Sequence, residues 1–501
     1  MNDASPRIQL ALISHTNAGK TTLARTLVGI DIGEVRDAPH VTALSEAHTL
    51  LAAPTGEELR LWDTPGFGDS VRLLKRLSIA DNPIGWFLRE IIDRYRDRPF
   101  WLSQQAMRTA RDEADIVLYL VNSSENPRDT GYLAPEMKIL QWLNKPVIVL
   151  LNQMGRPRPF AEEEVEQKRW KDYLAEYPVV RKVLALDAFA RCWVHERVFY
   201  EAVGDLVPDE RKDAYRHLLQ AWENDNQARL QAAMKVVAGQ LLAAARDSEA
   251  VDMSGNATFG SLLKMIGMGK QRENVRVNKA MNALMKRLND STHDATIELL
   301  KLHRLDAGAA SAINERVGKN VIVRAPVDTR QAGLLGALIS GATTGVSADI
   351  MAGGLTFGAG ALVGALVGAL TFTGAAWTFN ATTDRNEPKV QFSDDFMRTL
   401  AAGALLRYLA VAHFGRGRGN FTEDEAPVFW ASEVEAAVAG NERALTDTWR
   451  SARSQDMQAQ AGSALADTFA GVLANMTLQI LDKLYPHQIA ARLMANDPAH
   501  A

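Results

Sequence analysis

Near the N-terminus, Ser14-His15-Thr16-Asn17-Ala18-Gly19-Lys20-Thr21 sets a glycine, a lysine and a hydroxyl in the order that phosphate chemistry requires. In such a loop successive backbone N–H groups surround phosphate oxygens. The Lys20 ammonium reaches the β- and γ-phosphates, and the Thr21 hydroxyl enters the shell of a Mg2+ ion. The pattern departs from its usual form at Ser14, where glycine is the rule. Ser14 ends the preceding strand, where the backbone demands are milder than at Gly19. A second set, Asp63-Thr64-Pro65-Gly66, begins 43 residues after Lys20. A carboxylate there can hold the water shell of Mg2+, and the Gly66 N–H can meet the γ-phosphate.

These residues need a rigid frame, and the flanking pattern supplies one. Strands are predicted at Ile8–Ser14, Glu46–Ala53, Leu59–Trp62, Ile116–Asn122, Val147–Asn152 and Val183–Leu186, with Pro54-Thr55-Gly56 turning the second into the third. Helical stretches alternate with them, which predicts an α/β P-loop NTPase domain with a mostly parallel sheet over residues 1–200. The runs Ile116–Val121 and Val147–Leu151 are continuously apolar, as central parallel strands are. Beyond residue 200 the strand pattern fades. Leu230, Met234, Val237 and Leu241 recur at helical spacing, as do Met281, Leu284, Leu288, Ala295, Leu299 and Leu302, and a further helical stretch runs from Glu435 to Leu484. Residues 201–501 are therefore predicted to form an all-α domain that contains a Gly-rich helical hairpin at 331–383.

With both phosphate motifs placed on strands, residues 7 to 190 resemble the translation-factor-like class of small GTPases, in particular the bacterial Era and TrmE group. The resemblance rests on Asn17-Ala18-Gly19-Lys20-Thr21-Thr22-Leu23 and on Asp63-Thr64-Pro65-Gly66. It implies GTP and GDP as ligands, Mg2+ as cofactor and slow hydrolysis to GDP and phosphate. Nucleotide contacts would come from Asn17, Ala18, Gly19, Lys20, Thr21, Thr22, Asp63 and Gly66. A switch threonine closing on Mg2+ is also implied, and Thr42 fits best, because Thr26 lies within a helix and Thr49 within a strand. Relatives read guanine with Asn-Lys-X-Asp, but this chain has Asn152-Gln153-Met154-Gly155, so Asn152 stays and the carboxylate is gone. Asp187-Ala188 resembles the last base-contacting loop. Guanine preference thus follows from the resemblance, and ATP stays open. Ras-like enzymes orient water with a glutamine after the switch glycine; here that position is Phe67. In the Era and TrmE group an asparagine at the position of Asn17 helps hold a catalytic K+; a turn-stabilising role for Asn17 is equally open. His15 and His40 are additional candidates, against the commoner solvent-exposed loop histidine.

Between Gly66 and the fourth strand, residues 69–112 mix arginines (Arg72, Arg89, Arg94, Arg108, Arg111) with Trp86, Phe87, Phe100 and Trp101. That composition suits either a protein-partner surface or a helical face buried by its aromatics. Glu90, Asp93 and Asp97 dilute the positive charge, which argues against RNA.

Of the 35 glycines in 501 residues, 11 fall in 331–383, where Asp349 is the one charge. Gly341 and Gly345, Gly354 and Gly358, then Gly360, Gly364 and Gly368 recur four apart, a spacing that lets helices approach closely, in lipid or in a soluble hairpin. The block is expected to associate with a membrane, with Trp377 at the interface. Lys plus Arg is 56 against 60 for Asp plus Glu, a net charge of -4 that gives no global reason to expect nucleic-acid binding. A single cysteine, Cys192, excludes an internal disulfide framework, and no secretory signal is visible at the N-terminus. A cytoplasmic protein at the inner membrane is the expectation. Over nearly its full length the chain resembles a bacterial GTPase family with a C-terminal helical domain of unknown function. The segments that carry this are Ala38-Pro39-His40-Val41-Thr42, Trp62-Asp63-Thr64-Pro65-Gly66-Phe67-Gly68-Asp69 and Leu186-Asp187-Ala188-Phe189-Ala190-Arg191-Cys192-Trp193. Three functions remain in competition: a GTP-driven switch at a membrane, a nucleotide-driven membrane-inserting or channel-like protein, and a nucleotide-binding scaffold without turnover.

Overall fold

The computed structural model describes residues 6–16, 18–28, 46–79, 97–154, 158–186, 192–250, 271–305, 377–380, 389–413, 428–454 and 459–486. Six strands form one sheet: β1 (Arg7–Ser14), β2 (Glu46–Ala52), β3 (Glu58–Asp63), β4 (Ile116–Asn122), β5 (Val147–Asn152) and β6 (Val180–Ala185), in the order β2-β3-β1-β4-β5-β6. All neighbours are parallel except the β2–β3 hairpin. The observed strands reproduce the expected ones to within a few residues, because the signal came from apolar runs bounded by turns.

The parallel strands are apolar on both faces, and the period of two divides them. Ile8, Leu10 and Leu12 of β1, Ile116, Leu118 and Leu120 of β4, and Ile148 and Leu150 of β5 share one buried cluster. It is covered by Leu23 and Ala24 of α1 (Lys20–Val28), Phe199, Tyr200 and Val203 of the helix Trp193–Gly204, and Tyr215, Leu218 and Trp222 of the helix Lys212–Arg246. Ala11, Ile13, Val117, Tyr119, Val121, Val149 and Leu151 face the other side. There they meet Leu73 of α2 (Ser70–Ile79), Phe100 and Met107 of α3 (Arg98–Asp112), Met137 and Leu140 of α4 (Leu133–Leu143) and Trp170 of α5 (Phe160–Leu174). Each such side chain contributes about 1.5–3 kcal/mol by leaving water. Burial on both sides is what fixes these strands at the centre.

Part of the arginine-aromatic stretch is thereby accounted for. Phe100 is a core residue, with the Arg72 guanidinium 4.4 Å over its ring and Arg72 paired to Asp97. Trp86 and Phe87, with the rest of 80–96, lie outside the described residues, so the middle of the expected partner surface has no structural description.

The first compact unit does not stop at residue 200. It takes in the described residues up to Gln227 together with His413 and Tyr485. The cause is packing, since Tyr215, Leu218 and Trp222 belong to the sheet's core. We label the helix Trp193–Gly204 α6 and the helix Lys212–Arg246 α7.

The second unit is built mainly from the rest of α7, α8 (Gln271–Leu302), α9 (Asp394–Ala412), α10 (Val428–Gly440), α11 (Glu442–Arg453) and α12 (Ala459–Leu484). Leu230, Met234, Val237 and Leu241 are buried, as are Leu284, Leu288, Ala295 and Leu299. The unit is predominantly helical, but it also holds a small antiparallel sheet of β7 (Ser248–Ala250), β8 (Trp377–Asn380) and β9 (Lys389–Phe392), in the order β7-β9-β8. The alternation in β9, with Val390 and Phe392 buried and Lys389 exposed, lasts four residues, too few to stand out in a sequence. Trp377, expected at a lipid interface, starts β8 and pairs with Phe392. The remainder of the Gly-rich block, 331–376 and 381–383, lies outside the described residues. Among the described residues one segment, Gly462–Leu484, is long and apolar enough to cross a membrane. Phe469, Leu473, Ala474 and Leu481 within it are buried in the unit, as in a core helix.

Two helical glycines separate packing from backbone cost. A Cβ at Gly204 would lie 2.8 Å from the Tyr215 ring, whereas one at Gly239 would meet nothing within 4 Å. Gly204→Ala is expected to lower stability by about 1–3 kcal/mol through overpacking. Gly239→Ala is expected to raise it by about 0.5–1 kcal/mol, because alanine loses less backbone freedom in a helix. Denaturant melts of the two variants check the opposite signs.

Candidate nucleotide-binding site

The functional residues gather at the carboxyl ends of the parallel strands. Ser14 ends β1, Asp63 ends β3, Asn122 ends β4 and Asn152 ends β5. Strand β1 lies between β3 and β4, so successive connections leave it on opposite sides, and this switch point is where open α/β sheets bind ligands.

The loop after β1 turns into α1 at Lys20. Gly19 has φ +89°, which side chains disfavour, and a Cβ there would lie 2.7 Å from Asn152 Nδ2. Asn152 is fully buried and donates from Nδ2 to the Ala18 carbonyl at 2.9 Å. The side chain expected at the base therefore also holds the phosphate loop. Gln153, next to it, adopts φ +57°.

A second segment closes against this loop. Phe67 N–H donates to the Ser14 carbonyl at 2.9 Å, Thr16 Oγ1 to the Phe67 carbonyl at 3.0 Å, and Thr64 Oγ1 to the Leu12 carbonyl at 2.7 Å. A Cβ on Gly66 would sit 3.0 Å from Lys20 Nζ and 3.3 Å from Thr16 Cα, so glycine is what permits this approach. Phe67 is fully buried.

The charged groups converge in the same place. Lys20 Nζ donates to Ser14 Oγ at 3.0 Å, so the serine that replaces the usual glycine is a partner of the lysine. Thr21 Oγ1 donates to Asp63 Oδ2 at 3.0 Å. Burial pulls the Lys20 ammonium below its ordinary value, against the opposing charges of Asp63 and Glu136. Burial likewise pushes the Asp63 carboxyl up, against Lys20 and the Thr21 hydrogen bond. Asp63 Oδ1 is buried without a hydrogen-bond partner. An orphaned carboxylate oxygen beside a threonine hydroxyl fits a hydrated Mg2+, which is held by one or two protein oxygens with water and phosphate completing its shell. Among the described residues no group of three or more His, Cys, Asp or Glu is placed to hold a metal, so an all-protein cage has no support there.

Of the residues singled out from the sequence, Ala18, Gly19, Lys20, Thr21, Asp63, Gly66 and Asn152 are brought together. Thr22 lies in the first turn of α1, its carbonyl accepting from Thr26 Oγ1. Asn17, Thr42, Asp187 and Ala188, with His40 and Gly155, lie outside the described residues.

His15 is not a free loop histidine. Its Nδ1 donates to Glu136 Oε1 at 2.7 Å, and its ring stacks on Tyr132 with centroids 4.0 Å apart. Glu136 is fully buried in the first turn of α4 and also accepts from Tyr119 Oη. The sequence carried a signal for Glu136 that went unused: a carboxylate three residues after Leu133 and four before Leu140, on the buried face of the helix.

Gly19→Ala is expected to reduce nucleotide binding at least as far as Lys20→Ala, since it meets both a disfavoured φ and the Asn152 amide. Titration with a fluorescent GDP analogue, beside a melting curve to verify folding, checks this.

Comparison with known proteins follows the same division. Residues 9–153 match the model of the 50S ribosome-binding GTPase family. The chain is 31% identical over 151 residues to GTPase Der of Levilactobacillus brevis, covering 30% of this chain and 27% of that protein. It is 26% identical over 148 residues to GTPase Der of Listeria monocytogenes serotype 4a, again covering 30% and 27%. The chain thus spans under a third of the length of these curated relatives. Among solved structures, a variant of Aquifex aeolicus Era bound to GDP and aluminium fluoride aligns with a TM-score of 0.31 at 14% identity, covering 57% of this chain and 88% of that one. Residues 179–484, more than half of the chain, match the model described as a domain of unknown function, DUF3482. The chain therefore belongs to the DUF3482 family, carrying ahead of that domain a P-loop domain similar to the ribosome-binding GTPases.

Proposed function

We propose that this protein binds GTP with Mg2+ and hydrolyses it slowly to GDP and phosphate, as a switch. The observation that carries this reading is the convergence of Lys20, Thr21, Asp63 and Gly66 at the ends of β1 and β3, with Asp63 Oδ1 left for a ligand. In this arrangement Lys20 binds the β- and γ-phosphates, loop N–H groups surround them, and Thr21 and Asp63 hold Mg2+. The metal supplies charge neutralisation on the phosphates. Guanine over adenine is supported by the similarity to GTPases over residues 9–153. The base-reading carboxylate is replaced by Gly155, which makes a weak preference the expected outcome.

The finer parts of the reading rest on sequence alone. We place the protein on the cytoplasmic face of the inner membrane, tethered by 331–383, with Thr42 as the switch threonine and Asn17 holding K+. The burial of Phe67 favours one second reading, a nucleotide-binding scaffold without turnover, because it removes the usual water-orienting side chain.

Binding and turnover separate these. Lys20→Ala is expected to abolish GTP binding, and Asp63→Ala to abolish Mg2+-dependent release of phosphate, while GTP is bound more tightly than ATP. Phosphate release absent from the unmodified chain would leave the scaffold reading. Turnover in K+ is expected to exceed that in Na+ at equal ionic strength; equal rates remove the K+ role. Retention of the protein in the membrane fraction through alkaline carbonate is expected, and its release would remove the insertion.

A further inference from the structure

We infer that Glu136 is a positioning residue that ties the phosphate-binding loop, and through His15 the backbone at Phe67, to the central strand β4, and that it governs turnover rather than affinity for nucleotide. This rests on the GTPase reading above.

Two chain segments meet on this one carboxylate: His15 reaches it from the phosphate loop and Tyr119 from β4. Oε1 takes the His15 Nδ1–H and Oε2 the Tyr119 hydroxyl. A carboxylate has about four acceptor sites, enough for all of these donors at once. Burial pushes the Glu136 carboxyl up, and the hydrogen bonds from His15 and Tyr119 oppose that shift. A fully buried carboxylate costs several kcal/mol of desolvation, and leucine or methionine would fill the same space without that penalty. The charge makes sense as a fixed acceptor between parts that must keep register.

The loop it holds is the one that touches the phosphates. His15 is held on both sides, by Glu136 and by the stacked Tyr132 ring, and its backbone forms a parallel bridge with Phe67. On the other side Tyr119 is fully buried in β4, the strand that pairs with β1. Glu136 also acts electrostatically on Lys20. Because the Phe67 side chain lies in the core, any orientation of water at this segment falls to its backbone, whose placement depends on such anchors. The Gly68 N–H to Ser103 Oγ bond at 2.9 Å is one anchor, and the bridge from Phe67 to His15, itself held by Glu136, is the other. In phosphoryl transfer catalysis is almost entirely positioning, so a loosened anchor lowers kcat while ground-state binding survives.

The test uses the full chain with Mg2+ and GTP. Glu136→Gln is expected to lower kcat about tenfold while KM for GTP and Kd for a fluorescent GDP analogue stay within about threefold. His15→Ala is expected to give the same selective loss, and the double variant to be no slower than the slower single one, since both act through one contact. Tyr119→Phe supplies the same readout should Glu136→Gln fail to fold. Met137→Ala, a neighbouring core truncation, is expected to lower the melting temperature and leave kcat per folded molecule unchanged. Wild-type kcat in folded Glu136→Gln, a parallel loss of kcat and GDP affinity, or multiplicative effects in the double variant would each overturn the inference. An unmodified chain that shows no GTP turnover would instead remove the reading beneath it, and this role with it.

Discussion

The site depends on two stretches of backbone being held within hydrogen-bonding distance of each other at the ends of β1 and β3. The Phe67 N–H to Ser14 bond and the Thr16 to Phe67 bond close this contact, and Gly66 permits it by having no Cβ to meet Lys20 and Thr16. Everything charged is arranged around the seam. Lys20 is drawn into a buried position that its ammonium tolerates because Asp63 and Glu136 lie nearby, and Asp63 is held from one side by Thr21. Net hydrogen bonds contribute little each, roughly 1 kcal/mol, so the seam is set less by their sum than by the core that fixes both strands.

That core explains why β1 can carry such a load. From Leu10 to Ser14 its side chains are fully buried on both faces, and it is bonded to β3 and β4 over most of its length. Displacing Ser14 or Lys20 would move residues that belong to two apolar clusters at once. The carboxylate of Glu136 adds to this frame by bonding the loop at His15 and the strand β4 at Tyr119.

Much of this was legible in the sequence because it is local. Lys20, Thr21 and Asp63 announce themselves by type, spacing and place after a strand, and the apolar runs of β4 and β5 give the sheet. What was not legible depends on distant partners. Glu136 meets His15 across 121 positions, and Asn152 meets Ala18 across 134. The strands β7, β8 and β9 are too short for their alternation to show, and the second half of the core around α6 and α7 reads as ordinary helix until the sheet it covers is known. The glycine spacing of 331–383 is visible in sequence, but identical spacing serves lipid and protein contacts alike.

The bond from Asn152 to the Ala18 carbonyl ties the end of β5 to the loop after β1. An aspartate at 152 would turn a carboxylate toward that carbonyl and exchange attraction for repulsion, while a bulkier neighbour at Gly19 would strike the same amide. Positions 19 and 152 are therefore coupled through one amide, so a change at the end of β5 is felt in the loop after β1 although 133 positions of sequence separate them.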